Sequence, residues 1–241
     1  MPRIDERKSD QLREIKMVRG VAGAAPGRVL ISAGNTTVLC CASLADRLPP
    51  WMDADAGGWL TAEYRMLPGS TSPRTSRSDR PDGRATEIQR LIGRSLRAST
   101  NLAKLGGRTV YIDCDVLSAD GGTRTLSITG AFVALVDALA SVKDSFDGGI
   151  LPLVDSVAAV SAGLVGGCPM LDLCYEEDFA AEVDMNLVMT GGGKFIEIQG
   201  TGEEATFTEE QLVEFLRLGK KGIAELTEIQ KKVLGASWPF A

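Results

Sequence analysis

The chain has 241 residues, 44% of them hydrophobic and 24% charged, with a formal net charge of −6 and a pI near 4.9. That mixture excludes collagen, coiled coil and wholesale disorder, and the length suits one large domain or two small ones. There is no histidine, which excludes Ser–His and Cys–His nucleophiles, a histidine general base and histidine-ligated zinc. Any chemistry must rest on carboxylates, Arg, Lys, hydroxyls, backbone amides or a bound metal. The five cysteines (Cys40, Cys41, Cys114, Cys168, Cys174) are odd in number and form no C-x-x-C. Three of them lie in apolar, strand-like runs and read as buried reduced thiols. No signal peptide and no run of about 18 uncharged apolar residues is evident, so a soluble, cytoplasmic protein with no membrane partner is expected.

In chain order, residues 28–44 hold two β-rich runs around Ala33-Gly34-Asn35, which predicts a hairpin. Residues 47–83, rich in Pro, Gly, Ser and Arg, read as loop. Residues 84–104 predict a helix with Ile88, Leu91, Ile92, Ser95 and Leu96 on one face, stopped by Gly106-Gly107. Residues 108–117 alternate strictly, as a half-buried strand does. After Gly121-Gly122 a helix apolar on most sides runs through Val142 and is expected to be buried. Strands are expected over 157–165, 170–175 and 181–188, with another after the glycine turn at 191–193. A long helix follows, opened by a Thr208/Gln211 capping box. The pattern predicts a mixed α/β or α+β domain with two subdomains, approximately 10–142 and 157–234.

Three constellations carry possible chemistry. Between Arg65 and Arg97 stand eight arginines (65, 74, 77, 80, 84, 90, 94 and 97), no lysine and three acids. That is +5 over 33 residues, which leaves −11 for the remaining chain. Arginine without lysine suits bidentate contact with phosphate, so the run reads either as an RNA-backbone site or as a solvated loop with inter-subunit salt bridges. Gly121-Gly122-Thr123-Arg124-Thr125 lies between a strand and a buried helix. There, helix-end amides, two hydroxyls and a guanidinium make an inorganic-phosphate cradle, or else an ordinary turn and cap. Finally, Asp172, Asp178 and Asp184 fall on two presumed strands and their turn. Together they offer Mg²⁺ ligation or general-acid chemistry, or simply an acidic hairpin face.

Several long motifs in order resemble the ribonuclease PH family over nearly the whole chain, from Ile4-Asp5 to about Leu234. They are Arg7 to Arg13, Gly27-Arg28-Val29-Leu30 with Gly34-Asn35-Thr36, Ala62-Glu63-Tyr64 with Met66-Leu67-Pro68, Gly83-Arg84 through Arg97, Gly121 through Ala131, and Leu171 through Asn186. The resemblance implies one α/β unit of the type shared with polynucleotide phosphorylase and exosome ring subunits. It also implies a homohexameric ring built as a trimer of dimers. The implied activity is phosphorolytic 3′→5′ trimming of tRNA precursors and other structured RNA ends. Inorganic phosphate is the co-substrate, Mg²⁺ is expected, and nucleoside diphosphates leave. By family pattern, Arg84, Gly122, Thr123 and Arg124 bind phosphate and Asp178 and Asp184 are catalytic. Asp184 is then the better general acid, and both aspartates, with Asp172, are expected to hold the metal. Arg65, Arg74, Arg77, Arg80, Arg90, Arg94 and Arg97 are expected to bind RNA, and Ala62-Glu63-Tyr64 with Met66-Leu67-Pro68 is expected to form an RNA-facing loop. Two positions depart from the pattern: Gly69 stands where arginine is usual, and Cys174 where an acidic or amide residue is common. An RNA-binding ring subunit without catalysis is the alternative, and a small-molecule phosphotransferase a third reading.

Overall fold

A computed structural model describes residues 3–53, 57–77, 82–202 and 205–240. Two sheets sandwich one buried helix. The first sheet holds β1 (Ile15–Arg19), β2 (Gly27–Ala33), β3 (Thr36–Ala45), β4 (Trp59–Met66) and β5 (Thr109–Ser118) in the order β1-β2-β3-β5-β4. Its pairs are antiparallel except β4–β5, which is parallel. A parallel pair needs a crossover, and α1 (Gly83–Ala98) supplies it. The second sheet is antiparallel, β7-β6-β8-β9, from β6 (Val157–Val165), β7 (Cys168–Leu171), β8 (Val183–Thr190) and β9 (Phe195–Gly202).

Helix α2 (Thr123–Ala140) packs against β2 and β3 on one side and β6 on the other. This two-sided burial explains why it is apolar all round. It is long and apolar enough to cross a membrane by composition, yet 83% of it is buried inside the protein. Close approach requires Gly130, because a Cβ there would stand 2.6 Å from Ile31 Cγ2 and 2.9 Å from Cys40 Sγ. On its outer face the second sheet is covered by α4 (Glu209–Leu234), which starts at the expected capping box: Thr208 Oγ1 accepts from Gln211 N–H and Gln211 Oε1 from Thr208 N–H. Gln230, fully buried on α4, donates from Nε2 to the carbonyls of Thr129 and Val157 at 2.9 Å each, tying α4 to α2 and β6. All five cysteines are free, with Cys40 and Cys114 buried and the others half-buried.

The structure departs from the sequence reading in four places. The helix expected over 84–104 ends at Ala98, and Leu102–Lys104 form a separate 3-10 turn. Residues 59–66, read as loop, form β4, so Ala62-Glu63-Tyr64 is strand and not an RNA-facing loop. Leu60, Ala62 and Tyr64 point into the core while Trp59, Thr61, Glu63 and Arg65 face outward. The Pro/Gly-rich flanks masked that alternation. The short edge strand β1 was also not anticipated. Finally, the strand expected over 170–175 ends at Leu171, because Asp172 adopts φ +54° and turns the chain into a short helix, α3 (Tyr175–Phe179).

Candidate functional site

Five elements converge on a cavity of about 270 Å³ lined by Arg84, Gly122, Thr123, Arg124, Ser161, Tyr175, Asp178, Phe179, Asp184 and Asn186. Arg84 stands in the first turn of α1, whose start is fixed by Asp82 Oδ1 accepting from Ala85 N–H at 2.7 Å. Thr123 and Arg124 open α2. Gly122 at its N-cap has φ +67° and no side chain to cap the first-turn amides, so the helix end presents donors and a positive dipole to the cavity. Gly121 has φ +76°, and a Cβ there would come within 2.6 Å of Leu173 O and 2.8 Å of Tyr175 N. The cradle loop is therefore pressed against the segment that leads into α3. Asp178 comes from α3, and Asp184 and Asn186 from the start of β8, where Asn186 Nδ2 donates to Asp184 Oδ2 at 3.2 Å.

Beneath the cavity lies a buried ionic network. Asp172, 5% exposed, accepts at Oδ2 from Arg13 N–H (2.8 Å) and Nε (3.1 Å) and at Oδ1 from Nη2 (2.7 Å). The same guanidinium donates from Nη1 to Asp120 O at 2.6 Å, holding the loop before Gly121. Burial alone pushes Asp172 upward, but the Arg13 hydrogen bonds and charge outweigh it and hold the carboxyl below the usual range. Arg3 clamps the buried Glu177 with Nε at 2.8 Å and Nη2 at 2.6 Å. Burial again opposes and Arg3 prevails, so Glu177 is also lowered. Glu177 Oε2 accepts from Cys174 N–H, and Asp120 Oδ1 accepts from Tyr175 N–H at 3.2 Å. Cradle loop, N-terminal segment and α3 thus form one pinned unit.

The cavity brings together Arg84, Gly122, Thr123, Arg124, Asp178 and Asp184, the set that the family resemblance implies. Asp172 is a correction. Its carboxylate is buried and saturated by Arg13, so it supports the site from below and is no metal ligand. Arg97 is another, because its Nη1 donates to Leu60 O at 3.0 Å and its guanidinium lies 4.8 Å from the Trp59 ring centre, serving the α1–β4 interface. Arg94 pairs with Glu197 at 2.6 Å. Arg90, Arg94 and Arg97 line a separate groove that shares no residue with the main cavity. Arg65 sits on β4 beside Glu63, Asp113 and Asp115. Arg74 and Arg77 are exposed on the loop before α1, close to Thr75 and Ser76, which border a second hollow with Arg84. Arg80 lies outside the described residues.

Sequence reasoning missed three supporting residues. Tyr64, buried, donates from Oη to Thr123 Oγ1 at 2.9 Å, which leaves the threonine hydroxyl proton for another acceptor. Gln199 on β9 accepts from Arg124 Nη1 at 3.3 Å and donates to Glu87 and Glu197, linking the second sheet to α1. Arg13 carries the network described above. Each depends on a contact remote in sequence; only the alternation at Leu60, Ala62 and Tyr64 could have marked Tyr64 as inward-facing.

The geometry combines an anion cradle of two guanidiniums, hydroxyl and helix-end amides with two carboxylates across a small cavity. That suits attack by a bound oxyanion and protonation or cation binding at a leaving oxygen. Models of the 3′ exoribonuclease family match this chain at residues 11–140 (domain 1) and 155–222 (domain 2). It is 56% identical over 236 residues to ribonuclease PH of Rhodopirellula baltica, covering 95% of this chain and 96% of that one. To ribonuclease PH of Bacillus pumilus it is 55% identical over 239 residues, with coverage of 97% and 98%. Among solved structures, a chain of the Archaeoglobus fulgidus exosome with RNA bound to the active site superposes with TM-score 0.80 at 23% identity (94% and 92% covered). Rice Rrp46 superposes with TM-score 0.79 at 18% identity (96% and 100% covered). These two establish the likeness of fold.

Proposed function

The chain belongs to the 3′ exoribonuclease family of ribonuclease PH, and from that premise we propose how its residues divide the work. It is a phosphorolytic 3′ exoribonuclease, a tRNA nucleotidyltransferase, with inorganic phosphate as co-substrate. We assign phosphate to Arg84, Thr123, Arg124 and the helix-end amides after Gly122. These groups neutralise the nucleophile and aim it at the terminal phosphodiester. Phosphate is already anionic, so positioning matters more than deprotonation, and the absence of histidine is no handicap. A phosphate oxygen forms the new P–O bond, the bond to the 3′-oxygen of the penultimate nucleotide breaks, and the terminal nucleotide leaves as a nucleoside diphosphate. Asp184 delivers the proton taken up by that 3′-oxygen, and Asp178 shapes the field beside it.

The two carboxylates also fit Mg²⁺, a hard cation that takes oxygen donors from one or two carboxylates and completes its shell with water and substrate phosphate. Bound there, the ion would offset charge on the leaving oxygen. The exposed Arg74 and Arg77, with Arg80 and Arg65, draw in the RNA backbone. The RNA substrates are tRNA precursors and other structured 3′ ends. Self-association completes the assembly, which we propose is a homohexameric ring, with subdomains at approximately 10–142 and 157–234 in each copy. The observation that carries this reading is the single cavity shared by Arg84, Thr123, Arg124, Asp178 and Asp184. It favours an active subunit over a binding-only ring member. The test is incubation of a short 3′-extended RNA with and without phosphate: nucleoside diphosphates appear only with phosphate, and monophosphates without it would refute the assignment.

A further inference from the structure

Two aromatic rings remain unexplained by the phosphorolytic machinery. Tyr175 and Phe179, 58% and 81% exposed, occupy positions i and i+4 of α3, with ring centres 6.2 Å apart and planes tilted by 31°. Among the described residues they are the only apolar side chains lining the main cavity, whose other walls are Arg84, Arg124, hydroxyls, an amide and the two aspartates. Helical spacing places them on the same side as Asp178, which stands between them at i+3 from Tyr175.

Their exposure does not reflect a loose element. The opposite side of α3 is pinned by the buried Arg3–Glu177 pair, by the Glu177 cap on Cys174 N–H and by the Tyr175 N–H bond to Asp120. A rigid helix therefore presents two rings to water at the edge of an anion cradle. A substrate that places one phosphate against Arg84 and Arg124 needs, within a nucleotide's reach, a partner for its flat, weakly hydrated base. Among the described residues lining the cavity, Tyr175 and Phe179 are the π-faces available to it there. Their centre spacing is too small to sandwich a base between the rings, so the base lies against their cavity-facing side.

We propose that Tyr175 and Phe179 form a stacking platform for the base of the 3′-terminal nucleotide, making this end of the site tolerant of base identity but dependent on a base being present. Stacking on π-faces is insensitive to hydrogen-bonding pattern and is strongest for large rings. The proposal rests on the phosphorolytic reading. It adds a binding determinant, distinct from the phosphate contacts, that favours purine over pyrimidine ends by overlap alone.

The test compares two short RNAs that differ only at the 3′ end, one terminating in adenosine and the other in an abasic ribose. Both are assayed with wild type, Tyr175→Ala, Phe179→Ala and Phe179→Trp at saturating phosphate, with equilibrium binding measured in its absence. Wild type should bind and shorten the adenosine-ended RNA with KM about tenfold lower than the abasic one. Phe179→Ala should erase that preference by weakening the adenosine-ended RNA alone, Tyr175→Ala should reduce it, and Phe179→Trp should keep it. The KM for phosphate should stay constant throughout. Equal losses on both RNAs, no loss on either, or a changed particle mass for Phe179→Ala would overturn the platform. If wild type shortens neither RNA in phosphate, the phosphorolytic reading falls and this proposal falls with it; shortening without end preference refutes the platform alone.

Discussion

Asp172→Asn probes the buried pair on which the site is built. The carboxylate is 5% exposed and receives three hydrogen bonds from Arg13, at 2.7, 2.8 and 3.1 Å. The asparagine keeps the shape, offers one acceptor oxygen and leaves the Arg13 charge buried without its counterion. Removing one partner of such a pair costs about 3–5 kcal/mol, which for a chain of this length lowers Tm by roughly 6–20 °C. The sign of the pH dependence is fixed by the lowered pKa. A carboxylate held below its ordinary value of 3.8 contributes stability above that value and loses it as pH falls through the folded value. The gap in Tm between wild type and variant should therefore be constant from about pH 7 to about pH 5 and narrow below about pH 4. Because Arg13 also holds Asp120 O, the loosened cradle should raise the phosphate KM several-fold while RNA binding is retained. Differential scanning calorimetry across pH, with phosphate titrations at permissive temperature, measures both. A variant within about 1 kcal/mol of wild type at neutral pH, with unchanged phosphate KM, would refute the keystone role.

Asp184→Asn should lower kcat by roughly 10²–10⁴, the usual range for a positioned acid, with RNA affinity unchanged or slightly improved in filter binding. Arg124→Gln removes the proposed phosphate contact and the link to Gln199, and phosphate titrations should show the loss mainly in the phosphate KM. Gly121→Ala forces a Cβ to within 2.6 Å of Leu173 O at a backbone angle of φ +76°, so limited proteolysis should find the α3 segment more open and activity should fall. Arg77→Ala should flatten the salt dependence of RNA binding by about one unit of slope and leave single-turnover rates nearly unchanged.

The elements most legible in the sequence were those whose own pattern decides their environment. β5 alternates because one face is buried, α2 is apolar all round because sheets cover both sides, and Thr208/Gln211 mark the start of α4 by a local hydrogen-bond exchange. β4 was hidden because its Pro-, Gly- and Ser-rich flanks look like loop. The site candidates came from the family resemblance carried by the Gly121-Gly122-Thr123-Arg124 and Asp178–Asp184 motifs, while the local pattern alone left a turn and an acidic hairpin face open. What pairs with what was not legible. Asp172 looks like Asp178 and Asp184 in sequence, and only the fold brings Arg13 across 159 residues to neutralise it. Arg94 and Arg97 look like further RNA ligands until Glu197, Leu60 and Trp59 are placed beside them.

The central claim is that bound phosphate, not water, attacks the 3′-terminal linkage. Its most direct test is incubation of a short RNA labelled at the 3′-terminal nucleotide with ³²P-free protein, across a phosphate titration, with chromatographic separation of the released nucleotides. The account predicts release that rises with phosphate, saturates, and yields nucleoside diphosphate alone. Release of nucleoside monophosphate at a rate independent of phosphate would contradict it.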